Sequence, residues 1–253
     1  MTHTNHSDRV RLIIGASSGI GLALVEHWLA AGQPVIAVSR QASRCPALSA
    51  LEKQYPLLCL DADITDESQL ARLAGQLSDR QRVLDQIINC AGILHDQSRP
   101  LSPEKKLEDI SAPALLRNFT INSIAPILVA RYLLPHMRRD RRTVFASLSA
   151  RVGSIGDNQL GGWYSYRASK AAQNQLLKTL AIETRRRHPQ LCVLALHPGT
   201  TDTPLSKPFQ RNVPPAKLFS PQRAARQLAA IIDQADEADH GRFIAWDGKD
   251  IPW

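Results

Sequence analysis

The chain has 253 residues, of which 43% are hydrophobic, and a formal net charge of +8. A chain of this length without repeats or low-complexity segments predicts one domain over residues 1–253 with a sizeable core. No apolar run is long enough to cross a membrane, and the first residues lack the apolar core of a signal peptide. We therefore expect a cytoplasmic protein with no membrane partner.

The charge and the cysteine pattern argue against nucleic-acid and metal binding. Much of the positive excess lies in residues 138–142 and 185–188, each at the predicted C-terminal end of a helix, where cations complement the helix dipole. Few aromatic residues accompany them, and no nucleic-acid module is recognisable. Four scattered cysteines without a C-x-x-C pair predict buried thiols and no disulfide or zinc site: Cys45, Cys59, Cys90 and Cys192.

The first predicted elements form a strand, a glycine turn and a helix. Residues 10–14 (V-R-L-I-I) predict a strand, residues 15–21 read G-A-S-S-G-I-G, and residues 22–31 predict an amphipathic helix. This order directs backbone N–H groups and a helix N-terminus at a phosphate. The spacing G-x-x-x-G-x-G differs from the fingerprint G-x-G-x-x-G, and an ordinary tight turn is the alternative. The predicted cofactor residues here are Gly15, Ser17, Ser18, Gly19, Ile20 and Gly21.

Arg40 follows the second predicted strand, residues 34–39, which completes a βαβ unit. It lies nineteen residues beyond Gly21. In dinucleotide-binding folds an acidic residue about 20 positions beyond the glycines binds the adenosine ribose, whereas an arginine accepts a 2′-phosphate. Arg40 therefore predicts NADP as the cofactor, in preference to NAD. The alternative is a surface arginine that simply follows a strand.

The remainder of the chain alternates between strands and helices. Further strands are predicted over residues 57–60, 85–88, 143–148, 191–196 and 242–246. Helices are predicted after a cap at Thr65 or Asp66, over residues 114–139, from residue 166 onward and over residues 221–234. The alternation predicts an α/β fold with a doubly wound parallel sheet of about seven strands and helices on both faces. Ligands bind such sheets at the carboxyl ends of strands, where Gly15, Arg40, Asp63, Asn89, Ser149 and Pro198 fall.

Residues 147–170 are the candidate catalytic segment, because they combine a strand end, a Gly-rich loop and a helix start. Tyr166 and Lys170 are four residues apart and should share one helix face. A nearby ammonium favours the phenolate, so we expect Lys170 to lower the pKa of Tyr166 toward the range of a proton-transfer catalyst. Ser149 can supply a hydroxyl to the same place. The alternative is a half-buried tyrosine beside a solvated lysine.

Six motifs together resemble the short-chain dehydrogenase/reductase family over nearly the whole chain. They are G-A-S-S-G-I-G, D-I-T-D at residues 63–66, N-C-A-G at residues 89–92, Asn122, Y-R-A-S-K at residues 166–170 and P-G-T-T-D-T at residues 198–203. Residues 149–158, residues 161–170 and the C-terminal G-R-F-I-A-W-D-G-K-D-I-P-W resemble the branch of C-factor type proteins and sniffer-like carbonyl reductases. The resemblance implies a Rossmann-like fold, and homodimers are usual among such relatives.

The resemblance also implies a hydride transfer between NADP(H) and a small carbonyl or alcohol. Tyr166 would be the general acid/base, Lys170 would lower its pKa and hold the nicotinamide ribose, and Asn122 would anchor a water in the proton relay. The remaining implied cofactor residues are Asp63 and Ile64 at the adenine, Asn89, Ala91 and Gly92 along the cleft, Pro198 and Gly199, and Thr201 and Thr203 at the carboxamide.

The catalytic serine is where the sequence departs from the family pattern. Members commonly carry S-S at the end of the fifth strand, with the second serine polarising the substrate, about thirteen residues before the tyrosine. That second serine aligns with Ala150, whereas Ser154 lies twelve residues before Tyr166. We favour Ser149, with Ser154 as the alternative, and both could also be loop-capping hydroxyls.

Two other functions remain open from the sequence. One is an NADP(H)-binding regulatory or signalling protein with little turnover, and the other is a different enzyme on the same fold, such as an epimerase or dehydratase. The short C-terminal substrate region disfavours the second. The expected lid over the site, residues 205–219, mixes proline, aromatic and basic residues and would suit many small carbonyls.

Overall fold

The computed structural model of the protein describes residues 9–96 and 101–253. A parallel seven-stranded sheet, ordered β3-β2-β1-β4-β5-β6-β9, forms its centre, and β7 pairs separately with β8. The strands are β1 (Arg11–Ile14), β2 (Val35–Ser39), β3 (Leu57–Asp61), β4 (Gln86–Asn89), β5 (Thr143–Leu148), β6 (Leu191–His197), β7 (Thr200–Thr201), β8 (Leu218–Phe219) and β9 (Arg242–Ala245). The expected doubly wound parallel sheet is confirmed.

Helices cover both faces of this sheet. They are α1 (Gly19–Ala30), α2 (Pro46–Glu52), α3 (Glu67–Asp79), α4 (Ala112–Phe119), α5 (Ala125–Leu133), α6 (Tyr164–Arg187) and α7 (Pro221–Gln234). Apolar residues of α3, α5 and α6 pack on one face, and those of α1, α2 and α7 pack on the other. Each strand therefore needs apolar side chains on both sides: Leu12 and Ile14 of β1 enter the first cluster and Ile13 the second.

The order of the sheet positions the ligand cleft. The chain builds outward from β1 through β2 to β3 and then returns to place β4 on the other side of β1. The two crossover directions diverge between β1 and β4, which leaves a crevice at the carboxyl ends of these strands. The residues that follow β1, β2, β4 and β5 thus reach one crevice from different parts of the sequence.

Several predicted boundaries differ from the structure. The helix predicted over residues 114–139 is wrong in extent: α4 and α5 are joined by a π-helical turn, Thr120–Ile124, and the helix ends in a 3-10 turn over Leu134–His136, which contains Pro135. Asp66 rather than Thr65 caps α3, because its Oδ1 accepts from the Ser68 amide at 2.9 Å. Neither α2 nor the β7–β8 pair was predicted from the sequence.

The sequence disfavoured three features, namely membrane-spanning helices, metal-ligand groups and paired cysteines. Of the helices in the described ranges, none is long and apolar enough to cross a membrane. Among residues 9–96 and 101–253, no three His, Cys, Asp or Glu side chains are grouped to hold a metal ion. The four cysteines are free thiols, but only Cys192 is buried, whereas the other three are half-buried because they lie at the edges of the core.

Candidate active site

A cleft of about 850 Å³ lies across the carboxyl ends of the central strands. At one end it is lined by Arg40 and Asp63, which follow β2 and β3. At the other it is lined by Ser149 after β5 and by Tyr166 and Lys170 of α6. The residues that the sequence assigned to phosphate binding and to proton transfer therefore share one cleft.

Two glycines of the turn at the centre of this cleft, Gly15 and Gly21, leave no room for a side chain. A Cβ at Gly21 would meet the Gly15 carbonyl oxygen at 2.2 Å, and Gly15 itself has a φ of +76°. Ser18 precedes α1 without a side-chain capping hydrogen bond, and the first turn of α1 contains no acidic residue. The N–H groups at this helix end are therefore suited to a phosphate, because no side chain of the turn satisfies them.

The end of the cleft beyond β2 and β3 offers a free cation. Arg40 is exposed and makes no hydrogen bond or ion pair with any described residue. The Asp63 carboxylate is held nearby, since its Oδ1 accepts from the Thr65 amide at 2.9 Å and from the Thr65 hydroxyl at 2.7 Å. Ile64 adds a buried apolar contact surface. This combination suits an adenosine carrying a phosphate on its ribose.

Tyr166 and Lys170 lie side by side on α6, and both are almost fully buried. The Lys170 Nζ donates to the Leu148 carbonyl and to the Gln173 Oε1, each at 2.9 Å, and lies 5.9 Å from the centre of the Tyr166 ring. Burial raises the pKa of Tyr166 and lowers the pKa of Lys170 to about 7. The pKa of Tyr166 thus shifts in the direction opposite to the one expected from the sequence, because desolvation disfavours the phenolate. Desolvation also disfavours the Lys170 ammonium, which was expected to stabilise that phenolate.

The structure distinguishes between the two candidate serines. Ser149 lines the cleft, and its hydroxyl donates to the Asn174 Oδ1 at 2.6 Å. The Asn174 amide is oriented by donation from its Nδ2 to the Gly153 carbonyl at 3.4 Å. Ser154 is not among the lining residues, and its Oγ accepts from the Asp157 amide at 3.1 Å. Of the two candidate serines, only Ser149 lines the cleft that Tyr166 also lines.

Asn122 lies in the π-helical turn with its side chain fully buried. Its Oδ1 accepts from the Ile93 amide at 2.8 Å, and its Nδ2 donates to the Ile93 carbonyl at 2.9 Å and to the Ser169 Oγ at 3.0 Å. The side chain thus fixes the loop after β4 against α6. These contacts occupy the side-chain amide of Asn122. The role of Asn122 in anchoring a water stays a prediction.

Most predicted site residues line the cleft, and four do not. The lining includes Gly15, Ser17, Ser18, Gly19, Ile20, Gly21, Arg40, Asp63, Ile64, Ala91, Gly92, Ser149, Tyr166, Lys170, Pro198 and Thr203. Asn122 and three others do not line the cleft: the buried Asn89 donates from its Nδ2 to Ser147, Thr201 is buried, and the half-buried Gly199 packs on the Phe219 ring.

Sequence reasoning missed the polar residues that support Tyr166 and Lys170. Ser169, Gln173 and Asn174 are all buried on the same face of α6 as these two. Positions 166, 169, 170, 173 and 174 follow the i, i+3, i+4, i+7, i+8 spacing of a core-facing stripe. That spacing was the available signal, because polar residues at core positions need hydrogen-bond partners.

A row of aromatic ring contacts next to the cleft-lining Tyr166 and His95 was also not predicted from the sequence. The Trp163 ring lies 6.2 Å from the Tyr166 ring and 5.3 Å from the Phe209 ring, measured between centres. The Phe209 ring in turn lies 5.7 Å from that of His95, whose Nε2 is 3.0 Å from the Pro204 carbonyl oxygen. Phe209, which lies in the segment expected to form a lid, thus contacts both Trp163 and the cleft-lining His95.

Comparison with known proteins agrees with this geometry. A family model described as short chain dehydrogenase matches residues 9–214. C-signal of Myxococcus xanthus is 32% identical over 148 residues, which are 58% of this chain and 83% of that protein. An NADPH-bound carbonyl reductase from chicken fatty liver superposes with a TM-score of 0.83 at 26% identity, covering 97% of this chain and 99% of that one. The carbonyl reductase Sniffer of D. melanogaster, at 22% identity and a TM-score of 0.85, shares the fold over 98% of this chain and 100% of its own.

Proposed function

The chain belongs to the short chain dehydrogenase family of oxidoreductases, and on this premise we propose that it transfers a hydride between NADP(H) and a small carbonyl or alcohol. One observation carries the proposal: Ser149, Tyr166 and Lys170 line the same cleft as the glycine turn and Arg40. A cofactor bound along that cleft would therefore end beside a phenol that can exchange a proton with the substrate.

Three features support NADP(H) as the cofactor. The uncapped start of α1 suits the pyrophosphate, and the free guanidinium of Arg40 suits a 2′-phosphate. The carbonyl reductase from chicken fatty liver, 26% identical to this chain, was solved with NADPH bound. When bound, this cofactor supplies the hydride, and the protein supplies orientation and the proton.

In the proposed reduction, Tyr166 gives its phenolic proton to the substrate oxygen. Burial raises the pKa of Tyr166 and so keeps the phenol protonated, which is the form that a reduction needs. The Ser149 hydroxyl has to rotate away from Asn174 before it can donate to the same oxygen. Lys170 in its protonated form stabilises the phenolate that remains.

Replacing Tyr166 with phenylalanine tests the proposal most directly. Tyr166→Phe keeps the ring that packs in the core and removes only the acid, so kcat/KM for a carbonyl with NADPH should fall by about a hundredfold or more. Tyr164→Phe is the matched control, because Tyr164 is 40% exposed and does not line the cleft. Retained activity in Tyr166→Phe, or a comparable loss in Tyr164→Phe, would contradict the assignment.

A second candidate function is an NADP(H)-binding regulatory protein with little turnover. The 32% identity to C-signal favours it, as does the engagement of the Ser149 hydroxyl by Asn174. Wild-type protein that binds NADPH tightly but reduces no member of a panel of aldehydes and ketones would support this candidate. Measurable turnover that depends on Tyr166 would exclude it.

A further inference from the structure

Gln173 is hydrogen-bonded to Lys170 but does not itself line the cleft. It follows Lys170 by three residues on α6, and its side chain is fully buried. The Gln173 Oε1 accepts from the Lys170 Nζ at 2.9 Å, and the Gln173 Nε2 donates to the Ser147 Oγ at 2.7 Å. A buried amide with both ends engaged fixes the atoms around it, because moving it would leave polar groups unpaired.

The orientation of the Gln173 amide follows from its neighbours. The Nε2 also lies 3.2 Å from the Leu148 carbonyl oxygen, which can only accept a hydrogen bond. The amide nitrogen must therefore face Leu148 and the amide oxygen must face Lys170. The lysine is thus held by two acceptors, the Leu148 carbonyl and the Gln173 Oε1, and an ammonium keeps a third N–H for the cleft.

The same hydrogen-bond chain reaches the loop after β4, which also lines the cleft. The Ser147 Oγ accepts from the Asn89 Nδ2 at 2.9 Å, and the Asn89 Oδ1 accepts from the Ala91 amide at 3.3 Å. The Lys170 Nζ lies close enough to Gly92 that a Cβ there would be 3.6 Å away. Gln173 therefore connects the lysine to the loop after β4 that lines the cofactor cleft.

We propose that Gln173 is a positioning residue that holds Lys170 and favours its protonated form. The inference rests on the proposed function, in which a positive Lys170 stabilises the phenolate of Tyr166. Burial lowers the pKa of Lys170 to about 7, so a large share of the lysine would be neutral near neutral pH. A hydrogen bond from the ammonium to an amide oxygen opposes that loss, because it is stronger to the charged form.

Among the described residues, no carboxylate stabilises the protonated form of Lys170 in place of Gln173. Burial is the cause of the Lys170 pKa shift, without a contribution from any Asp or Glu among the described residues. Tyr166 on α6 and Cys90 after β4 are titratable groups of the cleft wall, and burial raises the pKa of the Cys90 thiol to about 12. The cleft is also lined by Arg40, Asp63, His95, Asp96 and Arg117, none of which contributes to the Lys170 pKa shift. The other neighbours are uncharged: the Leu148 carbonyl and the Ser147 and Ser149 hydroxyls of the β5 end, the Asn122 amide and the Gly153 backbone.

The first test measures the pKa of Lys170 directly, without turnover. In protein labelled with ¹³C-lysine, the Lys170 ε-methylene signal, identified by its loss in Lys170→Arg, is followed against pH by NMR. Gln173→Met, which keeps the length of the side chain but not the acceptor, should move this pKa down by about one to two units. Gln175→Met, an exposed position on the same helix, should leave it unchanged.

Gln173→Glu should shift the Lys170 pKa in the opposite direction. It also provides a second variant for the titration if Gln173→Met does not fold. A carboxylate of the same shape beside the ammonium should move the Lys170 pKa upward. A Lys170 pKa that stays at the wild-type value in Gln173→Met, or in Gln173→Glu where only that variant folds, overturns the proposal. A purely space-filling Gln173 predicts an unchanged Lys170 pKa in Gln173→Met, which makes this variant the discriminating one, because a carboxylate beside the ammonium raises the pKa by its charge alone.

The second readout is the pH profile of kcat/KM with saturating NADPH. In the wild type, kcat/KM should fall at high pH as Lys170 loses its proton. The pH of this fall should be lower in Gln173→Met and higher in Gln173→Glu. A uniform drop across all pH values would count against the proposal, since it indicates a structural role. If the wild type shows no turnover, the proposed function fails, whereas the NMR titration still decides the role of Gln173.

Discussion

At the scale of single residues, Arg40 carries the choice of cofactor. Its guanidinium lies in the cleft without a protein partner among the described residues, so a 2′-phosphate would meet no competing carboxylate on it. A charge-assisted hydrogen bond contributes about 1.5 to 3 kcal/mol, which corresponds to roughly ten- to a hundredfold in affinity. Arg40→Ala should therefore reduce the ratio of NADH to NADPH dissociation constants by that factor, as measured by fluorescence titration.

The matched control for Arg40 is Arg44. It is also exposed and follows β2, but it does not line the cleft. Arg44→Ala should leave the ratio of the two dissociation constants close to the wild-type value. An unchanged ratio in Arg40→Ala would remove the assignment of the 2′-phosphate contact, and a change in Arg44→Ala alone would transfer it to Arg44.

The two serines give a second prediction at this scale. Ser149→Ala removes the hydroxyl that faces the cleft, so kcat should fall by a factor of about 100 or more if that hydroxyl stabilises the developing oxyanion. Ser154→Ala should change kcat little, since its Oγ is engaged by the Asp157 amide away from the cleft. The NADPH dissociation constant should stay the same in both variants. A larger loss in Ser154→Ala than in Ser149→Ala would reassign the role.

At the scale of elements, the start of α6 decides where Tyr166 lies. Trp163 has a left-handed φ of 52° just before the helix, and its amide donates to the Glu104 carbonyl at 2.5 Å. The buried Glu104 carboxyl group accepts from the Ser165 amide at 3.1 Å and also from the Ser165 hydroxyl. A residue from a distant loop thus caps the helix that carries Tyr166 and Lys170, and an acidic group is favourable at a helix N-terminus.

Glu104→Ala should therefore affect both stability and activity. Loss of the cap should lower the free energy of unfolding by about 0.5 to 2 kcal/mol, and kcat/KM should fall because the first turn of α6 loses its anchor. Glu104→Gln keeps a side-chain acceptor and should retain most of the activity. Urea denaturation and steady-state kinetics on both variants measure these effects, with the exposed Glu108→Ala as control. Equal activity in Glu104→Ala and the wild type would show that the cap does not position Tyr166.

The sequence predicted those residues of the cleft lining that depend on local patterns. The glycine turn, Arg40 and the Tyr166–Lys170 pair were identified because strand ends, turn glycines and helix periodicity are encoded within a few residues. The contacts of Glu104 with Ser165 join residues 61 positions apart, and His95 bonds Pro204 over 109 positions. No short pattern encodes such contacts. Gln173 and Asn174 were missed because glutamine and asparagine on a helix are usually exposed.

At the scale of the whole molecule, the two ends of the parallel strands differ in function. The carboxyl ends of the strands form the cleft, and the amino ends hold a buried polar cluster around Asp233 of α7. The single domain and the homodimer expected from the sequence stay predictions. The Asp233 carboxylate accepts from the Arg11 Nη2 at 2.9 Å, the Gln86 Nε2 at 3.0 Å and the Trp28 Nε1 at 3.1 Å. One side chain thus connects β1, β4, α1 and α7.

Asp233 should therefore matter for stability and not for the cleft. Arg11 is fully buried, and removing its only ion-pair partner among the described residues leaves a charge in the core. Asp233→Ala should lower the free energy of unfolding by about 3 to 5 kcal/mol at pH 7, measured by urea denaturation. Asp140→Ala, which breaks an exposed ion pair with Arg138, should move the denaturation midpoint little.

The pH dependence separates the charge of Asp233 from its packing. Burial alone would raise the pKa of Asp233, but the Arg11 guanidinium and the hydrogen bonds from Gln86, Arg11 and Trp28 hold it below its ordinary value. A carboxyl with a lowered pKa contributes stability that is fully present above its unfolded value of about 3.9 and is lost as the pH falls through the lower folded value. The difference in unfolding free energy between wild type and Asp233→Ala should thus stay constant from pH 7 to about pH 5 and shrink below about pH 4. If this difference in unfolding free energy does not shrink in acid, the charge of the Asp233 carboxylate is not what stabilises the amino ends of these strands.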